Sequence, residues 1–75
     1  MTINLIPKTI NLESPLLKNY YGADSVSSEL FLHNYKCIKN VLSNPDKFPN
    51  ADMDYLFSIE EAIFNESPLA CLSVL

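Results

Sequence analysis

Ser25-Val26-Ser27-Ser28-Glu29-Leu30-Phe31-Leu32-His33-Asn34-Tyr35-Lys36-Cys37-Ile38-Lys39-Asn40-Val41-Leu42-Ser43 is the stretch that decides the fold class. Val26, Leu30, Cys37 and Val41 recur at helical intervals, with Phe31, Tyr35, Ile38 and Leu42 beside them, while Asn34, Lys36, Lys39 and Asn40 fall largely on the other side. Asp24 or Ser25 can cap this helix, and Asn44-Pro45 ends it because proline disfavours helical backbone in the residue before it. The spacing predicts a long helix over about 25–43.

Upstream, Ser14-Pro15 offers a hydroxyl cap with proline at the first helical position. Leu16, Leu17, Tyr20 and Tyr21 form an apolar stripe and Gly22 is a natural stop, which predicts a short helix over about 15–21. Downstream, Pro45-Asp46-Lys47-Phe48-Pro49-Asn50 reads as a rigid loop. Asn50 or Asp52 then caps a helix over about 52–65, with Met53, Leu56, Phe57, Ala62, Ile63 and Phe64 expected inward and Glu60 and Glu61 outward. Ser67-Pro68 opens a last short helix over about 68–75, too apolar and too short to stand unpacked. Its two ends have different expected roles: Leu69 and Leu72 seal the core base more readily than Val74 and Leu75. Thr2-Ile3-Asn4-Leu5 echoes in Thr9-Ile10-Asn11-Leu12, and the β-branched residues with Pro7 and Pro15 bias residues 1–13 toward extended chain. That segment is either an arm laid over the domain or a partner, or a mobile leader, the default for a terminus. The expected fold is all-α, with two principal antiparallel helices, short flanking helices, and one small domain over 14–75.

Composition narrows function mainly by exclusion. A chain of 75 residues with 48% hydrophobic residues folds as one small domain of marginal stability. Nine acids face five lysines and no arginine, a net charge of −4, which counts against direct nucleic-acid binding. Gly22 is the single glycine, so there is no phosphate-cradling loop. No apolar run approaches the ~18 residues of a membrane span. The first residues lack the basic leader and apolar core of a secretory signal. Cys37 and Cys71 are too few for a disulfide framework, and a reducing cytoplasmic setting is the expectation.

Charge is unevenly divided: residues 1–48 sum to +1 and residues 49–75 to −5. The acidic half is either a solvated face or a docking surface for a basic partner. Asp52 and Asp54 do not match a calcium loop, whereas a helix cap and a first-turn carboxylate account for both. Glu29, His33 and Cys37 are spaced four apart on one helix face, and His33 with Cys37 supplies half of a zinc site. Two more soft ligands are needed and only Cys71 remains, so the expectation is a buried thiol beside a hydrogen-bonded imidazole. A catalytic Cys–His pair meets the same shortage of partners. No enzyme activity and no cofactor is implied.

Subtraction leaves a non-enzymatic protein–protein interaction module: a small acidic adaptor, inhibitor, chaperone or immunity-type regulator. Eight aromatics and eleven leucines exceed what one small core demands, which predicts an exposed apolar patch. The expected partner surface uses Asp52, Tyr55, Leu56, Phe57, Glu60, Glu61, Val74 and Leu75. A homodimer is expected through Phe31, Tyr35, Leu56 and Phe57. The alternative from another class is a nucleic-acid mimic that blocks a DNA- or RNA-binding protein with the acidic 52–66 face.

One family shares the order of these parts. Tyr20-Tyr21 precedes the long helix, Glu29 lies near its start, and Ile38, Val41 and Leu42 run along it. Asn44 and Asp46 in the turn, then Leu56, Ile59 and Glu60, continue the pattern. Over about half its length, through generic residue types, the chain resembles the small enterobacterial connector proteins of the AriR type. Pro45 and Pro49 depart from that pattern. The resemblance implies a dimeric helical regulator of two-component signalling and biofilm formation.

Overall fold

The computed structural model describes residues 7–75. Two short strands and four helices follow one another as β1 (Thr9–Asn11), α1 (Pro15–Tyr21), β2 (Ser25–Ser27), α2 (Ser28–Ser43), α3 (Met53–Glu66) and α4 (Pro68–Leu72), with one 3-10 turn at Pro45–Lys47. The chain is mostly helical, but the all-α expectation omitted a two-stranded antiparallel sheet. Thr9 pairs with Ser27, Ile10 with Val26 and Asn11 with Ser25. The ladder is prolonged by Leu12 N–H to Asp24 C=O and Ser28 N–H to Lys8 C=O, both at 2.8 Å. Ile10 and Val26 point into the core while their neighbours face solvent, as the two-residue pleat requires. The extended bias of the N-terminal segment is thus realised in Thr9–Asn11; the first echo, Thr2–Leu5, lies outside the described residues.

Pairing with β1 also explains why α2 begins at Ser28 and not at residue 25. Ser25 to Ser27 are drawn into extended backbone, and Ser27 then caps the helix, its Oγ accepting from Leu30 N–H at 3.1 Å. Local signals suffice for α1, whose Ser14 Oγ accepts from Leu17 N–H at 3.4 Å. Gly22 closes α1 at φ +69°, the left-handed conformation glycine adopts without steric cost, and its N–H reaches Lys18 C=O at 2.8 Å. Asp52 caps α3 through Oδ1 and Tyr55 N–H at 3.1 Å.

The core gathers Ile10, Leu12 and Val26 from the sheet end, Leu17 from α1, Phe31, Tyr35 and Ile38 from α2, Ile59 and Ile63 from α3, and Ala70 and Cys71 from α4. Expectations about facing are corrected here on three helices. On α2 the inward stripe is Phe31, Tyr35 and Ile38; Leu30 and Cys37 face solvent. On α3 Ile59 is central and Phe57 points out, because Phe57 lies two residues, about 200°, from Ile59. Glu60, expected outward, is half-buried against α2. On α4 the small residues Ala70 and Cys71 seal the core, leaving Leu69 and Leu72 exposed, and Val74 packs against it.

Candidate interaction surface

Helix α3 contacts α1 on one flank and α2 on the other. Tyr55 lies on the α1 flank, 6.3 Å from Tyr20 between ring centroids. Tyr20 meets Tyr21 edge-on at 5.0 Å, and the Tyr21 hydroxyl donates to Asn34 Oδ1 at 3.0 Å. The three tyrosines and Asn34 therefore connect α3, α1 and α2. Burial, and then the neighbouring Tyr20, raises the Tyr21 pKa well above the ordinary phenol range, so this hydroxyl stays a donor.

Phe57 lies on the α2 flank, 59% exposed. It borders an open cleft of about 300 Å³ with Tyr35, Lys39, Glu60 and Phe64. Lys39 Nζ donates to Glu60 Oε2 at 3.2 Å and stands 5.3 Å from the Tyr35 ring centroid. The hydrogen bond to Glu60 raises the Lys39 pKa, outweighing the opposite effect of burial. Tyr35 is raised too, chiefly by burial. The cleft floor is thus aromatic and its rim carries the Lys39–Glu60 ion pair and the Glu61 carboxylate, which has no ion-pair partner among the described residues.

At the far end of α3, Glu66 bridges to a distant part of the chain. One carboxylate oxygen, Oε1, accepts from Glu13 N–H at 3.0 Å and from Ser14 N–H at 3.1 Å. Ser14 is the cap residue of α1, whose N–H has no partner within the helix, and Glu13 is the residue before it. Glu66, Lys39 and Asn34 make structural contacts that sequence reasoning missed; their partners lie 52, 21 and 13 residues away or more, beyond any local pattern.

The expected partner residues are placed unevenly. Asp52, Tyr55, Phe57, Glu61 and Leu75 are exposed; Leu56 and Val74 are partly buried against the core, and Glu60 is paired with Lys39. Tyr55 and Phe57 point to opposite flanks, so they do not form one anchor pair. Of the dimer residues, Phe31 is fully buried within the protomer's own core, and Tyr35 nearly so, reaching the surface only at the floor of the Phe57 cleft. Leu56 and Phe57 are left from that set.

His33 and Cys37 stand on the solvent face of α2, with Cys37 Sγ 3.5 Å from His33 Nε2. The expected buried thiol is therefore an exposed one. Cys71 is the buried thiol, donating to Ile63 C=O at 3.7 Å, and burial pushes its pKa up to about 11. Among the described residues no three metal-ligating side chains converge, and no helix is long and apolar enough to cross a membrane. Comparison with protein-family models, with curated proteins and with solved structures gives no match.

Proposed function

We propose that this chain is a non-enzymatic interaction module that acts by occupying the surface of another protein. The observation that carries it is Phe57, more than half exposed in the middle of α3 and beside the aromatic cleft of Tyr35 and Phe64. An aromatic held on a rigid helix next to a cleft is the form taken by residues that dominate interface energies. Covering what Phe57 leaves in water is worth about 1–2 kcal/mol, from the usual transfer value for a phenylalanine. Glu61 at the rim supplies orientation and encounter rate more than affinity. Leu69, Leu72 and Leu75 are a further set of exposed apolar side chains, on and after α4. Two free thiols, Cys37 and Cys71, suit a reducing, cytoplasmic setting.

Nucleic-acid mimicry is less well supported than apolar docking. Of the five acids on 52–66, Glu60 is neutralised by Lys39, Glu66 is spent on backbone donors and Asp52 on its own helix cap. These carboxylates keep their charge, but among the described residues only Asp54 and Glu61 are neither paired nor tied to backbone donors, too sparse a set to imitate a phosphate backbone.

The test is affinity capture from the source cell with the intact chain and with Phe57→Ala, each washed at low and moderate salt. A partner retained at both salt levels by the intact chain, and released by Phe57→Ala, is the expected outcome. A partner that leaves at moderate salt regardless of Phe57 points to charge mimicry and overturns apolar docking.

A further inference from the structure

We propose that His33 and Cys37 form half of a zinc site which a second copy of the chain completes across a two-fold axis. The Sγ···Nε2 separation is 3.5 Å. Tetrahedral zinc with bonds of about 2.3 Å to sulfur and about 2.0–2.1 Å to nitrogen requires a ligand–ligand edge of about 3.5–3.6 Å. The two side chains therefore already span one edge of a zinc tetrahedron. Both are exposed, so a metal reaches them without any rearrangement of the core. The pair is set by the helix itself, since residues four apart stack on one face.

One protomer cannot finish the site. Glu29 is a further turn back, about 12 Å from Cys37 along the axis, and cannot share a metal with it. Cys71 is buried on α4 and bound to Ile63 C=O. Two ligands per chain and four per structural zinc make a His₂Cys₂ centre with one metal for two chains. A two-fold axis through the metal makes the contact isologous, with the same α2 face on each side. Leu30, 49% exposed on that face, borders a cleft of about 240 Å³ with Ser27, Glu29 and His33, which gives the second helix one apolar contact in a mostly polar seat. The outer face of one helix is small against the roughly 1,000 Å² of a stable interface, so the metal supplies what area does not. On binding, each Cys37 loses its thiol proton to solvent and binds as thiolate, while each His33 binds as neutral imidazole through Nε2. No electron is transferred.

The site shares no residue with the Phe57 surface, so the two proposals fail separately. Zinc is titrated into the reduced chain, kept under a thiol-free phosphine reductant, and mass is followed by sedimentation; cobalt is titrated in parallel and followed by absorbance. The expected result is a rise from 8.5 kDa to about twice that, complete at half an equivalent of metal, with tetrahedral cobalt–thiolate bands. Chelator reverses it, His33→Ala and Cys37→Ser abolish it, and Phe57→Ala leaves it intact. Circular dichroism checks that the variants keep their helices, which exposed positions favour. A chain that stays at 8.5 kDa with metal overturns the proposal, as does saturation at one metal per chain or a dimer that survives Cys37→Ser.

Discussion

Replacing Glu66 with alanine sets two physical rules against each other and so tests which one governs this chain. Glu66 is the last residue of α3, where the helix dipole is negative. By that rule alone, removing the carboxylate stabilises α3 by about 0.3–1 kcal/mol. The structure gives the opposite sign, because Oε1 accepts from both Glu13 N–H and Ser14 N–H. Hydrogen bonds to a charged group contribute about 1.5–3 kcal/mol each when shielded. Glu13 N–H is exposed and turns to water at small cost, whereas Ser14 N–H is half-buried and loses more. Allowing for that exposure and for the dipole gain, Glu66→Ala is expected to destabilise by about 1–2 kcal/mol. At about 4–8 °C per kcal/mol for a domain of this size, Tm falls by about 5–15 °C. Glu66→Gln keeps an acceptor oxygen without the charge and should lose about half as much. Thermal and urea unfolding followed by circular dichroism read both. A Glu66→Ala variant as stable as the parent, or more so, refutes the bridge.

Four more expectations follow from the core and its edges. Ile10→Ala should cost about 2–4 kcal/mol in urea unfolding, since it empties a buried site facing Val26; a cost below about 0.5 kcal/mol would mean the ribbon is not part of the folded core. Tyr21→Phe removes one hydroxyl bonded to Asn34 and should cost about 0.5–1.5 kcal/mol, while Tyr55→Phe, whose hydroxyl has no such partner among the described contacts, should be close to neutral. A thiol reagent at neutral pH should label Cys37 at once and Cys71 only on unfolding. Burial raises the Cys71 pKa from 9.0 to about 11, so the folded state favours its neutral thiol. The resulting stability is fully present below pH 9 and declines as pH rises through about 11, with half-buried Tyr21 and buried Tyr35 acting in the same direction; unfolding measured across that window reads it.

Legibility in the sequence followed the range of the interactions concerned. Helix α1 was readable at both ends because Ser14, Pro15 and Gly22 carry their own backbone instructions. Asp52 was readable as a cap for the same reason. The start of α2 was not, because Ser25–Ser27 is a competent first turn until Thr9–Asn11 arrives to pair with it. The facing of α3 was ambiguous for another reason: Met53, Tyr55, Leu56, Phe57, Ile59, Ala62, Ile63 and Phe64 surround the helix, so apolar spacing alone selects no unique phase. That ambiguity hid Ile59 and placed Phe57 inside. In the tail, size alone favours Leu69 and Leu72 as the core seal, whereas close packing at a helix crossing selects the small side chains of Ala70 and Cys71.

Ser27 belongs at once to the ribbon and to the helix, as the last residue of β2 and the cap of α2. Two repeats of different period are thereby geared together with no slack between them. One residue inserted at Val26–Ser27 inverts the strand's faces or turns α2 by about 100°, and either swings Phe31, Tyr35 and Ile38 away from Leu17 and Ile59. The same insertion at Asn50 only lengthens a surface loop. Lineages of this chain should therefore drift in length between α2 and α3 while the β2–α2 junction keeps its count to the residue, and fusions or tags built into the chain should follow the same rule.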